Sequence, residues 1–334
     1  MAIGLLLMAP VRAQVAAPAP AAADTRPDFT EFLGTLKAQA LEAGVSAAIV
    51  EKALNGLEPL DVVVERDRSQ PEVILTTDQY VQRRLTRAFV RMAATKAREH
   101  RAELAPIAKK YGVASAVIVA IWGMESNFGR FTGTRPIVQA LATLAWEGRR
   151  RALFTSELIS ALQILDKGYI ALDRMTGSWA GAMGQTQFMP SSYLAHAQDF
   201  DGDGRRDIWT SLPDVFASIA NYLNAYGWKD DQAWGREVKV PAGGATKLAA
   251  KVGFRQSGCR AGRDLTVPVP LARWQELGVR TVGEQPLPQV DRDASLLRAG
   301  SRNYLVYSNY DALLGYNCAH SYALAVGLLA DRLD

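Results

Sequence analysis

The 334-residue sequence contains few cysteines and has little net charge. Its two cysteines, Cys259 and Cys318, have a spacing that decides neither for a disulfide nor for two free buried thiols, so both interpretations stay open. A formal net charge of +4 with a pI near 9.0 is too small for the dense cationic surface of a nucleic-acid-binding protein. It fits plain solubility, or a diffuse anionic partner such as a carboxylate-bearing polymer or a phospholipid surface.

Long apolar runs are also absent, so we expect no transmembrane span. Residues 1–13 hold a short apolar run and end in Val11-Arg12-Ala13, with small residues where a signal peptidase reads the chain. We interpret this segment as the remnant of a secretory signal peptide. Residues 14–27, rich in Ala and Pro, are predicted to form a disordered linker. No cysteine follows the signal, which argues against an N-terminal lipid anchor.

Repeats of solenoid period are absent, and helical periodicity dominates instead. Residues 236–300 differ, because their short β-like stretches are broken by Pro and Gly. The pattern predicts a mainly α (α+β) protein with an N-terminal helical domain over 28–104, a core formed by 105–235 plus 301–334, and a small inserted β subdomain over 236–300. The predicted helices cover 28–58 (as short helices), 76–100, 113–124, 137–147, 154–172, 213–226 and 318–333.

The predicted helix over 76–100 is rich in arginine. Thr77 or Asp78 is its expected N-cap, and apolar residues recur along one face. We interpret its arginines most simply as a solvated face, with a contact to phosphate or lipid as the remote alternative; they are Arg83, Arg84, Arg87 and Arg91.

A carboxylate stands at the end of the most apolar predicted helix, where residues 123–129 read GMESNFG. The partial negative charge of a helix C-terminus disfavours ionisation of Glu125. Apolar neighbours such as Ile121 and Trp122 add a desolvation cost. Both effects predict a raised pKa, as a general acid requires. The simpler alternative is a Glu that ends a helix and faces water.

A second motif, GSWAGAMGQTQFMPSSY over 177–193, is predicted to be an irregular loop. Its glycines allow a ligand to approach the backbone closely. Gln187 can both donate and accept hydrogen bonds, and Phe188, like Tyr316 and Tyr322 near the C-terminus, offers a flat face for stacking on a sugar ring. The alternative is that Phe188 and Met189 belong to the core.

A third motif places three carboxylates in alternation, at Asp199, Asp201 and Asp203, followed by Gly204. This arrangement matches positions 1, 3, 5 and 6 of a calcium-binding loop. The match is incomplete because Thr210 stands at position 12, where an EF-hand has Glu. We predict a structural Ca²⁺ site; Na⁺ or a solvated acidic turn are the alternatives.

Together these motifs resemble the lytic murein transglycosylase B family of the lysozyme-like superfamily. The similarity extends from about residue 28 to the end, and it also rests on Tyr316-Asn317 and Ser321-Tyr322-Ala323. The resemblance implies a lysozyme-like helical core, a periplasmic location, and peptidoglycan glycan strands as the substrate. It also implies that Glu125 is the catalytic residue. We expect a monomer, with cell-wall synthesis or remodelling proteins as possible partners.

The resemblance also implies roles for further residues. Ser178 and Gln187 would lie near the scissile bond, and Tyr316, Asn317 and Tyr322 would orient the N-acetyl sugar or Glu125. Arg150 and Arg151 would meet substrate carboxylates, although the run of three arginines at 149–151 is equally typical of a charged surface. The calcium loop would be lengthened: the Arg205 carbonyl stands at position 7, Asp207 contributes at position 9, and Asp214 closes the loop.

One carboxylate is expected to suffice. Glu147, Asp166 and Asp173 are interpreted as surface residues, so no second acid matches Glu125. The family's reaction needs one Glu, acting first as acid and then as base, and forms 1,6-anhydromuramoyl ends without water and without an organic cofactor. The alternatives are a muramidase that uses water and a non-catalytic peptidoglycan-binding module.

Overall fold

The computed structural model describes residues 26–69 and 75–333. The predicted signal remnant (1–13) and nearly all of the predicted linker (14–27) lie outside these ranges. Within them the chain is mainly helical, as predicted. The sixteen α-helices are α1 Phe29–Glu42, α2 Ala47–Leu54, α3 Asp61–Arg68, α4 Thr77–Arg84, α5 Arg87–Glu99, α6 Arg101–Tyr111, α7 Ser115–Ser126, α8 Ile137–Glu147, α9 Arg151–Asp166, α10 Pro190–His196, α11 Leu212–Ala225, α12 Gly244–Val252, α13 Arg260–Arg263, α14 Leu271–Glu276, α15 Ser308–Tyr316 and α16 His320–Ala330.

The strands form one short ribbon and one five-stranded sheet. Strands β1 and β2 pair antiparallel, and the sheet has the order β4-β6-β7-β3-β5, with every neighbouring pair antiparallel. The strands are β1 Arg135–Pro136, β2 Thr176–Gly177, β3 Gly235–Lys239, β4 Val269–Pro270, β5 Arg280–Thr281, β6 Asp293–Ala299 and β7 Arg302–Val306.

The sheet lies where a β subdomain was predicted, but its bounds differ. Strand β7 ends at Val306, beyond the predicted limit of 300, and three short helices (α12–α14) accompany the strands. The sheet has its own apolar cluster, centred on Trp274, which is fully buried and donates a hydrogen bond to the Ala294 carbonyl at 2.9 Å. The predicted boundary at 104/105 falls inside α6.

The predicted N-terminal helical region packs against two different parts of the core. Helices α1–α3 share an apolar cluster with α8, α9 and α10, in which Phe29 meets Trp146 edge to face at 5.4 Å. Helices α4 and α5 belong instead to a second cluster, together with α6, α7, α11, α15 and α16. The N-terminal helices therefore contribute to both apolar clusters of the core.

The helix predicted over 76–100 is two helices in the structure. Helix α4 ends at Arg84, and α5 begins at Arg87 after Thr86, whose hydroxyl accepts from the Phe89 amide at 3.2 Å. The N-cap of α4 is Thr76, in a capping box with Gln79, and neither Thr77 nor Asp78. The sequence pattern missed this break because apolar spacing continues across it.

Glu147 is not the surface residue that was predicted. Its side chain is 6% exposed and pairs with Arg26 at 2.9 Å and with Arg68 at 2.8 Å. Arg26 also lies over the Trp146 ring, 3.9 Å from its centroid. These contacts attach the start of the described chain and the end of α3 to the end of α8.

No single helix among the described residues is both long and apolar enough to cross a bilayer. Two pairs of consecutive helices reach that length and composition only when taken together, and each pair is sharply bent: α6–α7 by 110° and α15–α16 by 118°. At the second bend, Tyr316 is the last residue of α15 and Tyr322 lies in the first turn of α16, so a short connection separates them.

Cys259 and Cys318 form a disulfide, which decides between the two interpretations left open by the sequence. The bond joins the N-cap of α13 in the β subdomain to the connection between α15 and α16. It therefore fixes the subdomain to the segment that carries Tyr316.

Replacing both cysteines by alanine should lower the free energy of unfolding by about 2–4 kcal/mol, because the cross-link restricts the unfolded chain. Urea unfolding of oxidised wild type and of the double variant measures the difference. Reduced wild type serves as the control and should match the variant. Equal stability of all three forms would contradict the prediction.

Candidate active site

Glu125 lies in the last turn of α7, and within that helix only Ser115 and Glu125 are not buried. The helix ends because Asn127 turns left-handed, with φ of 50°, and Phe128 and Gly129 also have positive φ. The Ser126 hydroxyl holds this turn: it donates to the Trp122 carbonyl at 3.1 Å and accepts from the Gly129 amide at 3.0 Å. The Glu-Ser-x-x-Gly spacing is thus a helix stop that leaves the carboxyl at the edge of a buried helix.

Gln185 connects this turn to the loop over 177–193. Its amide oxygen accepts from the Trp122 indole at 2.7 Å, and its amide nitrogen donates to the Trp209 carbonyl at 2.9 Å. Gly129 passes so close that an added Cβ would lie 2.3 Å from the Gln185 oxygen. Only glycine fits there. The sequence motif contained Gln185, but nothing in its spacing revealed a buried structural role.

Among the described residues, four side chains interact electrostatically with the Glu125 carboxyl: Tyr80 and Arg84 from α4, Tyr316 at the end of α15, and Tyr322 in α16. Burial raises the pKa of Glu125 to about 7, which outweighs the opposing influence of Tyr322 and of the Arg84 charge. The raised pKa agrees with the direction predicted from the sequence, and desolvation is its main cause.

Two of the tyrosine hydroxyls are fully enclosed. Burial, together with the nearby Glu125, raises the pKa of Tyr316 and of Tyr322 well above the usual value, so both are neutral donors. The Tyr316 hydroxyl donates to the Thr186 carbonyl at 2.9 Å. The Tyr322 hydroxyl is close enough to Glu125 for the two to affect each other's pKa, yet it has no hydrogen bond of good geometry. It is therefore available to a carboxyl or to a ligand.

Ser178 and Gln187 lie on a compact loop that β-bridges close at Gly177–Met183 and Met183–Phe188. The Ser178 hydroxyl accepts from the amides of Ala180 and Ala182, at 3.3 and 3.0 Å. The Gln187 amide donates to the carbonyls of Gly184 and Thr132, at 2.8 and 3.1 Å. Gln187 thus ties the loop to the chain that follows Glu125.

The prediction that Phe188 offers a face for sugar stacking is wrong. Phe188 is 2% exposed, and Tyr222 and Tyr316 pack against its ring at centroid distances of 5.4 and 5.7 Å. Met189 is partly buried against the same apolar cluster. Asn317, in contrast, is exposed as the C-cap of α15, beside Tyr316.

Arg149, Arg150 and Arg151 have partners away from Glu125. Arg149 and Arg150 pair with the buried carboxylate of Asp67 on α3, at 3.4 and 2.9 Å. Arg151 donates to the Ala145 carbonyl and lies over the Phe32 ring. The predicted contact of Arg150 and Arg151 with substrate carboxylates stays a prediction. They stabilise the contact between α3, α1 and the α8–α9 turn.

The acidic loop brings three of its six predicted ligands together. Oxygen atoms of Asp199, Asp201 and Asp203 lie within 4.8 Å of one another, and all three residues are exposed. That separation suits a shared Ca²⁺, whose ligand distances are about 2.3–2.6 Å.

Asp207 and Asp214 accept hydrogen bonds within the acidic loop, as the carboxylates of Asp199, Asp201 and Asp203 also do. Asp207 accepts from the Trp209 and Thr210 amides, both at 2.8 Å, and Asp214 accepts from the Phe200 and Asp207 amides at 2.7 and 2.8 Å. Burial raises the pKa of Asp214 to about 6. These two carboxylates brace the loop from inside, and their role as calcium ligands stays a prediction.

Comparison with known proteins gives the same assignment over nearly the whole chain. The family model for the transglycosylase SLT domain matches residues 28–331. The chain belongs to this family. It is 36% identical over 233 residues to the membrane-bound lytic murein transglycosylase B of Escherichia coli strain K12; the match covers 67% of this chain and 58% of that relative's length.

Two solved relatives share the fold. SltB3 from Pseudomonas aeruginosa, in complex with NAG-anhNAM-pentapeptide, is 42% identical with a TM-score of 0.84, over 91% of this chain and 79% of that one. The E. coli lytic transglycosylase Slt35, in complex with calcium, is 28% identical with a TM-score of 0.72, over 92% and 93% of the two chains. The predicted lysozyme-like helical fold is thereby confirmed.

Holding Glu125 in this position has a cost for stability that depends on pH. Its pKa is higher in the folded protein than the ordinary value of 4.5, so the folded state loses stability as the pH rises through about 7. Glu125→Gln removes the charge. We expect the variant to be more stable than wild type at pH 8 by about 1–3 kcal/mol, and the gain to vanish near pH 4.5.

Urea unfolding at pH 5 and pH 8 measures this gain. Glu42→Gln is a matched control, since Glu42 also ends a helix but is exposed, and a surface substitution there should change the free energy of unfolding little. A Glu125→Gln effect of equal size at both pH values would contradict the assigned burial.

Proposed function

We propose that the protein is a lytic transglycosylase that cleaves the β-1,4 bond between N-acetylmuramic acid and N-acetylglucosamine in peptidoglycan. The single observation that carries the proposal is the Glu125 carboxyl, held with a pKa of about 7 beside two neutral tyrosines in a member of this family. A carboxyl with that pKa can donate a proton at neutral pH and afterwards accept one.

Each proton is accounted for in the proposed reaction. Glu125 donates its proton to the glycosidic oxygen as the bond to C1 of the muramic acid breaks, and the N-acetylglucosamine end leaves with a new hydroxyl. The C6 hydroxyl of the same muramic acid then attacks C1 and gives its proton back to Glu125. The products are a 1,6-anhydromuramoyl end and a regenerated carboxylic acid, and no water is consumed.

Several contacts support a single-carboxylate mechanism. Among the described residues, the other strongly buried acids already have partners: Asp67 pairs with arginines, Glu157 accepts from the Ser191 amide and hydroxyl, and Asp214 accepts from backbone amides. None contributes to the pKa of Glu125. A second acid that activates water is thus not supported beside Glu125, which favours attack by a substrate hydroxyl over hydrolysis.

Substrate contacts are assigned around this carboxyl. Tyr322, whose enclosed hydroxyl interacts with the Glu125 carboxyl, and Tyr316 would orient Glu125 or the N-acetyl group. Ser178 and Gln187 would line the loop side, with exposed Asn317 at the rim. SltB3 was solved with NAG-anhNAM-pentapeptide, and that ligand's anhydro sugar supports the product proposed here. Arg150, whose side chain is half exposed beside Asp67, and Arg151 would meet substrate carboxylates.

The acidic loop is proposed to bind a structural Ca²⁺. The carboxylates of Asp199, Asp201 and Asp203 and the Arg205 carbonyl would hold the ion, which would relieve repulsion among exposed like charges. Asp207 and Asp214 would complete the ligand set. The complex of Slt35 with calcium supports this choice of metal. The ion would brace the loop beside α11 and would take no part in bond breaking.

A periplasmic location is part of the same proposal. It is supported by the signal-like sequence pattern, by the Cys259–Cys318 disulfide, which suits an oxidising compartment, and by a peptidoglycan substrate. The predicted division into an N-terminal helical domain, a lysozyme-like core and a β subdomain, and the predicted monomeric state, remain proposals.

Glu125→Gln should reduce cleavage of purified peptidoglycan about 10³-fold or more, because the amide cannot donate the proton. Binding of soluble muropeptides should persist. Mass spectrometry of wild-type digests should show sugar ends lighter by one water than reducing ends. Reducing ends would instead identify a muramidase, and unchanged lysis by Glu125→Gln would point to a binding module. Glu42→Gln is the active control.

Calcium should stabilise the protein by about 2.7 kcal/mol at a concentration 100 times its Kd, seen as a higher melting temperature. Asp201→Ala should abolish the increase. Asp173→Ala, at another exposed acid, should retain it. If wild type melts at the same temperature with and without saturating calcium, the loop does not bind the ion.

A further inference from the structure

Arg84 reaches the turn of α7 that carries Glu125, although it belongs to a different helix. It is the last residue of α4, and its Nη2 donates a hydrogen bond to the Met124 carbonyl at 2.5 Å. Arg84 is an exposed residue, which agrees with the solvated face predicted from the sequence, but its guanidinium is hydrogen-bonded to another helix. Arg84 thus bridges α4 and the residue directly before Glu125.

The carbonyl that Arg84 binds is one that α7 cannot satisfy itself. The last four carbonyls of a helix lack partners from the next turn. After α7 the chain turns back, and the amides of Asn127 and Phe128 bond to the carbonyls of Gly123 and Trp122. Met124 receives the guanidinium instead, and a cation at a helix C-terminus is favourable.

Helix α4 is itself fixed at its other end. Asp78 in its first turn accepts from the Ser301 amide and hydroxyl, at 3.0 and 3.1 Å, at the turn between β6 and β7. Gly300 lies so near that an added Cβ would be 2.2 Å from the Asp78 carboxylate. Helix α4 also packs along α16, which carries Tyr322. Arg84 therefore extends from a helix, α4, whose position is fixed by contacts with the β6–β7 turn and with α16.

The other groups that face Glu125 are neutral. Tyr80 lies on α4, Tyr316 on α15 and Tyr322 on α16. Helices α5, α6 and α11 pack on this side of the core through apolar residues, including Phe89, Ile107 and Phe216. His100 touches Trp122 of α7 but pairs with Glu103 and does not influence Glu125. Among the described residues, Arg84 is the one cation that acts on the carboxyl.

We propose that Arg84 is a positioning residue that anchors the Glu125-bearing turn of α7 to α4 and so holds the carboxyl in one orientation. Its charge also favours the ionised form of Glu125, which partly offsets burial and makes the carboxyl competent as a base after it has donated its proton. The catalytic consequence rests on the proposed function; the anchoring does not.

Arg84→Met and Arg84→Lys test the proposal, with Arg83→Met as the matched control, because Arg83 is exposed on the same turn of α4. The pKa of Glu125 is measured by ¹³C NMR of the labelled carboxyl, whose signal is identified by its loss in Glu125→Gln. Values of kcat and KM are measured on purified peptidoglycan across a range of pH.

In Arg84→Met the pKa of Glu125 should rise by about one unit, and kcat should fall about tenfold or more with little change in KM, because the turn loses its anchor. The alkaline limb of the pH profile should move upward by the same amount. Arg84→Lys should keep a nearly normal pKa and recover part of kcat. Arg83→Met should match wild type.

An unchanged pKa in Arg84→Met, or a raised pKa with unchanged kcat, would overturn the positioning role. If Arg84→Met does not fold, Arg84→Gln takes its place with the same expectations, since it also removes the charge. An inactive wild type would refute the proposed function, while the NMR titration, which needs no turnover, would still decide whether Arg84 acts on Glu125.

Discussion

The desolvation of one carboxyl, that of Glu125, is the constraint on which the site depends. Helix α7 is buried on almost every side and ends in a left-handed turn at Asn127, so Glu125 in its last turn is only partly exposed. A carboxylate in such surroundings is costly, and the protein reduces the cost by favouring the protonated form. The same burial that weakens the fold at high pH prepares the group to donate a proton at neutral pH.

The carboxyl is surrounded by residues that are far apart in the chain. Helix α4 supplies Tyr80 and Arg84, the loop at 177–193 supplies the carbonyl that binds Tyr316, and the bend between α15 and α16 supplies both enclosed tyrosines. The disulfide attaches that bend to the β subdomain, whose β6–β7 turn in turn holds α4 through Asp78. Helix α4, the α15–α16 bend and the β subdomain are therefore linked to one another around the site.

Sequence patterns predicted what depends on local periodicity and on short motifs. Helix α8 has the predicted bounds, α7 was identified by its apolar run, and Glu125 by its place at the end of that run. Patterns failed where tertiary contacts decide. Apolar spacing continues through the break at Thr86, an aromatic residue such as Phe188 fits a core as well as a cleft, and the internal partners of Arg84, Glu147 and Arg150 come from distant helices. Nothing in the sequence distinguished Gln185 from the other polar residues of its loop. Its structural role is visible only from the hydrogen bond that it accepts from Trp122.

The packing of residues 28–104 against two apolar clusters has a consequence for how this protein can be divided. A shortened chain starting at residue 105 would expose apolar faces of α8 and α9, and it would also lose the cation and one of the three tyrosines around the carboxyl. The packing therefore argues for keeping together the residues of the family match, 28–331. The same packing limits the design of chimaeric proteins. Exchanging only the N-terminal helices with those of a relative would pair a foreign α4 with the native α7. The junctions of a chimaera should therefore lie outside residues 28–331.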